Sequence, residues 1–173
     1  MRYIGAGDFF AVETRKLLTQ KNEEMKTVKQ TIPEGQTREE IQQRRKFIKD
    51  FYANWNAINS TKRIFNVALN DFIHIRFLSI QETAEQAAYT YKSTLAVTYL
   101  TEILEKAVVE KRVKPKPNNQ NQKRFSEIII MFYIKPTFGK IKLTVGVLRG
   151  SRQNIQYCIT AIENDQQPSS SRK

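Results

Sequence analysis

The sequence predicts an α+β fold in which N-terminal helices pack with a C-terminal antiparallel sheet of three or more strands. Three observations carry that expectation. Apolar residues recur at helical spacing through the first 60 positions, and the period changes to two beyond residue 125. Between the two regimes lies a stretch rich in Pro, Asn, Gln and Lys that suits neither regular structure. At 173 residues with 40% hydrophobic side chains, the chain is long enough to bury a core of its own.

The elements follow in order. From about Asp8 to Gln30, the residues Phe9, Val12, Leu17, Met25 and Val28 lay one apolar stripe among many charges, which predicts a first helix. Ile32-Pro33-Glu34-Gly35 interrupts it, because Pro lacks an amide donor and Gly favours a turn. Thr37-Arg38-Glu39-Glu40 then has the spacing of a capping box, with the Thr37 hydroxyl accepting from the Glu40 amide and Glu40 reaching back. The helix it starts runs to about Ile58. Ile41, Ile48, Phe51, Tyr52, Trp55 and Ile58 would form its core side, and Arg44, Arg45, Lys46 and Lys49 its solvent side. Trp55 reads as a core anchor rather than a platform for stacking bases.

The middle is less regular. Ile64-Phe65-Asn66-Val67 and Phe72 to Phe77 read either as strands or as a helix end followed by a strand. Ser79-Ile80-Gln81-Glu82 has capping-box spacing and predicts a helix through Ala84, Ala87 and Ala88. Leu95 to Tyr99 reads as a short buried strand, and Leu100 to Val109 as a helix on the spacing of Leu100, Ile103, Leu104, Ala107 and Val108. Lys111 to Arg124 is expected to be a loop. Beyond it, Glu127 to Ile134 suits a strand buried on both faces, Lys140 to Leu148 alternates, and Asn154 to Ile162 alternates again. Phe138-Gly139 and Arg149-Gly150-Ser151-Arg152 are the turns of this meander. The organisation expected is a helical extension over 1–60, an α+β domain over 61–163 and a disordered tail over 164–173.

Charge supplies the functional signal. The chain carries 29 Lys and Arg against 17 Asp and Glu, a formal charge of +12. Residues 1–90 hold 14 basic and 11 acidic side chains, whereas residues 91–173 hold 15 and 6. An excess gathered in one half points to a polyanionic partner, RNA or DNA. Cys158 is the only cysteine, so an internal disulfide and a thiolate metal cluster are both excluded, and a reducing cytoplasmic setting is expected. No apolar run has the roughly 18 residues that span a bilayer, and the N-terminus lacks the pattern of a secretory signal. No membrane partner, metal or cofactor is therefore expected.

Phosphate-cradling and dinucleotide motifs are missing, as is any metal-spaced His and Cys set. Cys158 lies within an apolar strand and reads as an inert core thiol. What remains suits metal-independent RNA cleavage. RNA carries its own nucleophile, the 2′-hydroxyl, so a protein needs cations for the phosphate and groups that move two protons. Residue types fit for this are His74, Arg76, Lys92, Ser93, Thr94, Lys142 and Thr144, with Glu82 or Glu85 as further proton carriers. The plainer reading makes His74 an ordinary strand residue, Lys142 and Thr144 a solvated sheet face, and Lys92-Ser93-Thr94 a helix end. Binding without chemistry would use Lys111, Arg112, Lys114, Lys116, Lys123 and Arg124 of the loop, with Arg44, Arg45 and Lys49 of the helix.

Ile73-His74-Ile75-Arg76, Glu82 to Ala88, Lys92 to Val97, Ile141 to Val147 and Gln156 to Thr160 occur in an order that resembles the barnase-EndoU-colicin-RelE superfamily, in its phage- and mobile-element-borne branch. The resemblance covers roughly residues 72–162. It implies a helix-plus-curved-sheet fold and a toxin-like endoribonuclease, with Arg76, Lys92, Ser93, Thr94 and Lys142 as phosphate contacts. Gln86 stands where a second His would be hoped for, which leaves the proton carriers open and allows a catalytically inactive relative. The expected function is thus nucleic-acid binding, with RNA cleavage an open question. The alternative is a non-catalytic accessory or structural protein of a phage or mobile element, docking a protein partner through its N-terminal helices.

Overall fold

Helix α1, Arg38–Ile58, starts as its sequence dictates: the Glu40 amide donates to Thr37 Oγ1 at 3.2 Å, and the Thr37 amide to Glu40 Oε2 at 3.1 Å. The computed structural model describes residues 32–163, so the helix expected over 8–30 and the tail from 164 lie outside the described residues. After α1 come β1 (Arg63–Asn66), β2 (Asp71–His74), α2 (Phe77–Ala87), α3 (Tyr91–Val97), α4 (Leu100–Lys106), β3 (Val108–Val113), β4 (Phe125–Lys135), β5 (Gly139–Leu148) and β6 (Asn154–Ala161). A single 3₁₀ turn, Gln120–Gln122, lies in the connection before β4.

The fold is α+β, and the expected meander β4-β5-β6 forms its centre. The sheet has six strands in the order β1-β2-β6-β5-β4-β3. It is mixed rather than purely antiparallel, because the β1–β2 hairpin docks with β2 parallel to β6, Ile73 opposite Asn154 and His74 opposite Ile155. One face carries the main core, where Ile48, Tyr52 and Trp55 of α1 meet Ala84, Ala87, Leu100, Ile103, Leu104 and, from the sheet, Ile129, Met131, Ile141, Leu143 and Ile159. A smaller cluster gathers Leu78, Phe125, Ile128, Ile130, Ile155, Tyr157 and Cys158. Strand β4 is thus buried on both sides, as its unbroken apolar run predicts. Gly146 permits the second cluster: a Cβ there would stand 2.6 Å from the Phe125 ring.

Several expectations are corrected. Leu95 to Tyr99 is not a strand; it lies in and just after α3, which Thr90 caps by accepting from the Ser93 amide at 3.1 Å. Helix α2 opens at Phe77, not after Ser79, because Ser79 Oγ accepts from the Arg76 amide at 3.0 Å and caps the helix from its third position. The helix from Leu100 ends at Lys106, since Ala107 leaves helical geometry at ψ 142°. Val108–Val113 then forms an exposed edge strand, so Lys111 and Arg112 lie in β3 and the loop begins at Lys114. Ile58, expected in the core, is exposed.

Arg44 departs furthest from expectation. It is fully buried, and its guanidinium donates to the carbonyls of Ala88, Pro33 and Gly35 at 2.7–2.8 Å and of Tyr89 at 3.5 Å. Burial holds its pKa below the ordinary arginine value, partly offset by Glu40. The compact unit begins at Pro33, and Ile48, Tyr52 and Trp55 of α1 pack within it in the main core. A buried relay joins the layers: Tyr52 Oη donates to Gln156 Oε1 at 2.7 Å, and Gln156 Nε2 to Thr83 Oγ1 at 2.9 Å. Among the described residues, no helix is long and apolar enough to cross a membrane.

Candidate nucleic-acid interface

Where β2 leaves the sheet for α2, the chain passes through His74, Ile75, Arg76 and Phe77. Ile75 is buried and fixes the crossing, whereas Arg76 and Phe77 face outward, Phe77 with 79% of its surface exposed. Two clefts adjoin here and share Arg76 and Phe77 as a common wall. The first, about 460 Å³, is lined by Asn56, Thr61, Lys62, His74 and Ile80. The second, about 490 Å³, is lined by Gln81, Arg124, Phe125, Leu148 and Ile155. Both fall in the range of small-ligand clefts, about 300–1,000 Å³.

A neutral partner holds Arg76. Arg76 Nη2 donates to Gln153 Oε1 at 2.7 Å, which ties it to the β5–β6 turn. That turn grips the chain before β4, since the Arg149 amide donates to Arg124 O at 3.0 Å and Arg149 Nε to Lys123 O at 3.1 Å. The connection is anchored from its other side by Glu82 of α2, which accepts from Asn121 Nδ2 and, at 3.1 Å, from Gln86 Nε2. Within it the Lys116 amide donates to Gln122 Oε1 at 2.8 Å. Arg124 is thereby presented on structured backbone. Among the described residues, the ion pairs are Arg45–Glu85, Lys46–Asp50, Arg112–Glu127 and Lys135–Glu102. None involves Lys62, Arg76, Arg124 or Arg149.

His74 reports the same electrostatics. Its pKa is held below the ordinary value of 6.5, first by burial and then by the Arg76 and Arg63 cations, with Asp71 opposing. Arg63 lies over the Phe72 ring with its central carbon 4.1 Å from the centroid, so the guanidinium is fixed beside the histidine. The imidazole is therefore neutral near pH 7, in the state that can take up a proton.

The seven residues expected to cooperate do not meet at one place. His74 and Arg76 share the first cleft. Lys92, Ser93 and Thr94 lie in α3, where Ser93 Oγ accepts from the Ala161 amide at 3.0 Å and Thr94 Oγ1 donates to Ala87 O at 3.0 Å and to Thr90 O at 2.9 Å. Both hydroxyls are spent on structure. Lys92 Nζ sits 5.7 Å from the Phe138 ring centre. Lys142 and Thr144 are half-buried in β5, opposite Thr160 and Cys158. His74 is level with Ile155 and Ser93 with Ala161, six positions apart along β6, or about 20 Å at roughly 3.3 Å per residue. Cys158 is buried, and its thiol is pushed up to about 12, chiefly by burial and then by the Glu82 carboxylate.

The basic stretch is similarly divided. Lys114, Lys116, Lys123 and Arg124 are exposed around the connection, and Lys111 and Arg112 on the edge strand, where Arg112 is paired with Glu127 at 3.0 Å. On α1, Lys49 is exposed, Arg45 is paired with Glu85 at 3.4 Å and lies over Tyr89, and Arg44 is buried. Sequence reading missed Lys62, Arg63 and Phe77 as partners of this surface. Their signal is proximity to His74-Arg76: antiparallel pairing of β1 with β2 sets Arg63 opposite His74. No protein-family model, curated protein or solved structure matches the chain.

Proposed function

We propose that the protein binds nucleic acid along the edge formed by the start of α2, the β1–β2 hairpin and the residues leading into β4. One observation carries the reading: Lys62, Arg76 and Arg124 line two adjoining clefts, and no carboxylate among the described residues neutralises them. Cations left unpaired in a concave surface attract phosphates, and each phosphate neutralised releases counterions. Fluorescence anisotropy with a labelled oligonucleotide over about 50–200 mM salt tests it. Affinity is expected to fall steeply and linearly on logarithmic axes. Affinity that stays flat across that range overturns the reading.

RNA cleavage is the second reading, favoured by a neutral His74 in the same cleft as Arg76. A neutral imidazole beside a phosphate-binding cation suits removal of a proton from a 2′-hydroxyl. The resemblance to the barnase-EndoU-colicin-RelE superfamily agrees with this chemistry, although Lys92, Ser93 and Thr94, which it implies as phosphate contacts, lie six strand positions from His74 along β6. Incubation of structured RNA with the protein in EDTA is expected to give fragments that His74→Ala abolishes. RNA left intact at high protein concentration removes this reading and leaves binding untouched.

A further inference from the structure

We infer that the bound form is single-stranded nucleic acid, with bases stacked on the exposed ring of Phe77; this rests on the nucleic-acid reading above. Phe77 is the most exposed large hydrophobic side chain among the described residues, at 79%, although it opens a helix whose next residue, Leu78, is buried. Phe77 lines both clefts, of about 460 and 490 Å³, so its exposed side chain stands where the two adjoin. Both clefts hold cations: Lys62 in the first, Arg124 in the second, and Arg76 in both. An aromatic wall between two spaces flanked by cations takes unpaired bases against the ring and the intervening phosphates against the cations. Duplex bases are already stacked on one another and offer phosphate alone. Splayed bases of a single strand offer both.

The plainer account of Phe77 is a stray surface hydrophobe, of which every protein has some. Ile134 of β4, 69% exposed, is an example: it lines neither of the two clefts. Phe77 differs in lining both clefts, each of which also holds cations.

The test titrates a labelled single-stranded oligonucleotide and a duplex of equal length with the full chain, using wild type, Phe77→Tyr, Phe77→Leu and Phe77→Ala. The wild type is expected to prefer the single strand. Phe77→Ala and Phe77→Leu reduce that preference about tenfold, while Phe77→Tyr keeps it, because tyrosine retains the π face and leucine only the bulk. The salt slope stays that of the wild type, since no cation has been removed. Equal affinity of the wild type for single strand and duplex overturns the inference while the cationic interface stands. So does Phe77→Leu behaving as wild type. Failure to bind either form overturns both this inference and the reading beneath it.

Discussion

Arg44 shows how much of this fold depends on one charged side chain. Its guanidinium serves carbonyls at the entrance to α1 and at the end of α2, so it bolts the chain before α1 to the turn after α2. Hydrogen bonds from a charged donor contribute about 1.5–3 kcal/mol each, and removal leaves buried carbonyls without partners. Arg44→Met is therefore expected to lower stability by about 3 kcal/mol or more, read as a shift of the urea midpoint at constant slope. A loss below about 0.5 kcal/mol, the usual scale for a surface substitution, would contradict this role. The placement of Arg44 was legible in part. Arg44, Ile48 and Tyr52 are spaced four apart and Trp55 three further, so the arginine stands on the apolar stripe itself. Counting it with Arg45 and Lys46 as solvent-facing followed its charge and ignored its phase. His74 and Arg76 were legible as chemistry-bearing residues, but Arg63 beside them is set by strand pairing and not by sequence distance.

At the scale of elements, the legible parts are those whose signal is local. The capping box of α1 and the alternation of β5 both reappear in the structure, because each draws on contacts within a few residues or on a simple two-sided environment. The misread parts were decided by neighbours. Val97-Thr98-Tyr99 has strand-like side chains, yet Thr90 and Thr94 hydrogen-bond into a helical turn and the small Ala96 lets that turn lie against the core. Val108 to Val113 carries Lys111 and Arg112, which read as loop. As an edge strand, it needs only one partner and can present charged side chains to solvent, where they hinder pairing with another edge. The bulge between Val109 and Lys111 adds to that protection. The helix expected after Ser79 begins three residues earlier, at Phe77, because the Ser79 hydroxyl works from inside the first turn. That shift matters to the proposed function, since it places Phe77 at the first helical position and exposes it between two clefts.

For the whole molecule, the question is whether binding follows total charge or the place where charge gathers. The chain is +12 overall, and a polyanion would be drawn to any strongly positive body at low salt. The cations nonetheless lie in separate groups. Lys62, Arg76 and Arg124 line the clefts near the level of His74 and Ile155, whereas Lys92 and Lys142 lie toward the other end of the central strands, by Ala161 and Thr160. Six strand positions separate these levels, about 20 Å, which is more than two Debye lengths at physiological ionic strength, where the screening length is about 8 Å. Charges at the far end therefore act weakly on a strand seated in the clefts. Arg76→Glu with Arg124→Glu and Lys92→Glu with Lys142→Glu change the net charge equally, so net charge alone predicts equal losses of affinity. The clefts predict otherwise: the first pair is expected to lower affinity at least tenfold more than the second at about 0.15 M salt, and to flatten the salt dependence by more. Equal losses from the two pairs would mean that binding follows bulk charge, and that the surface around Arg76 has no special part in it.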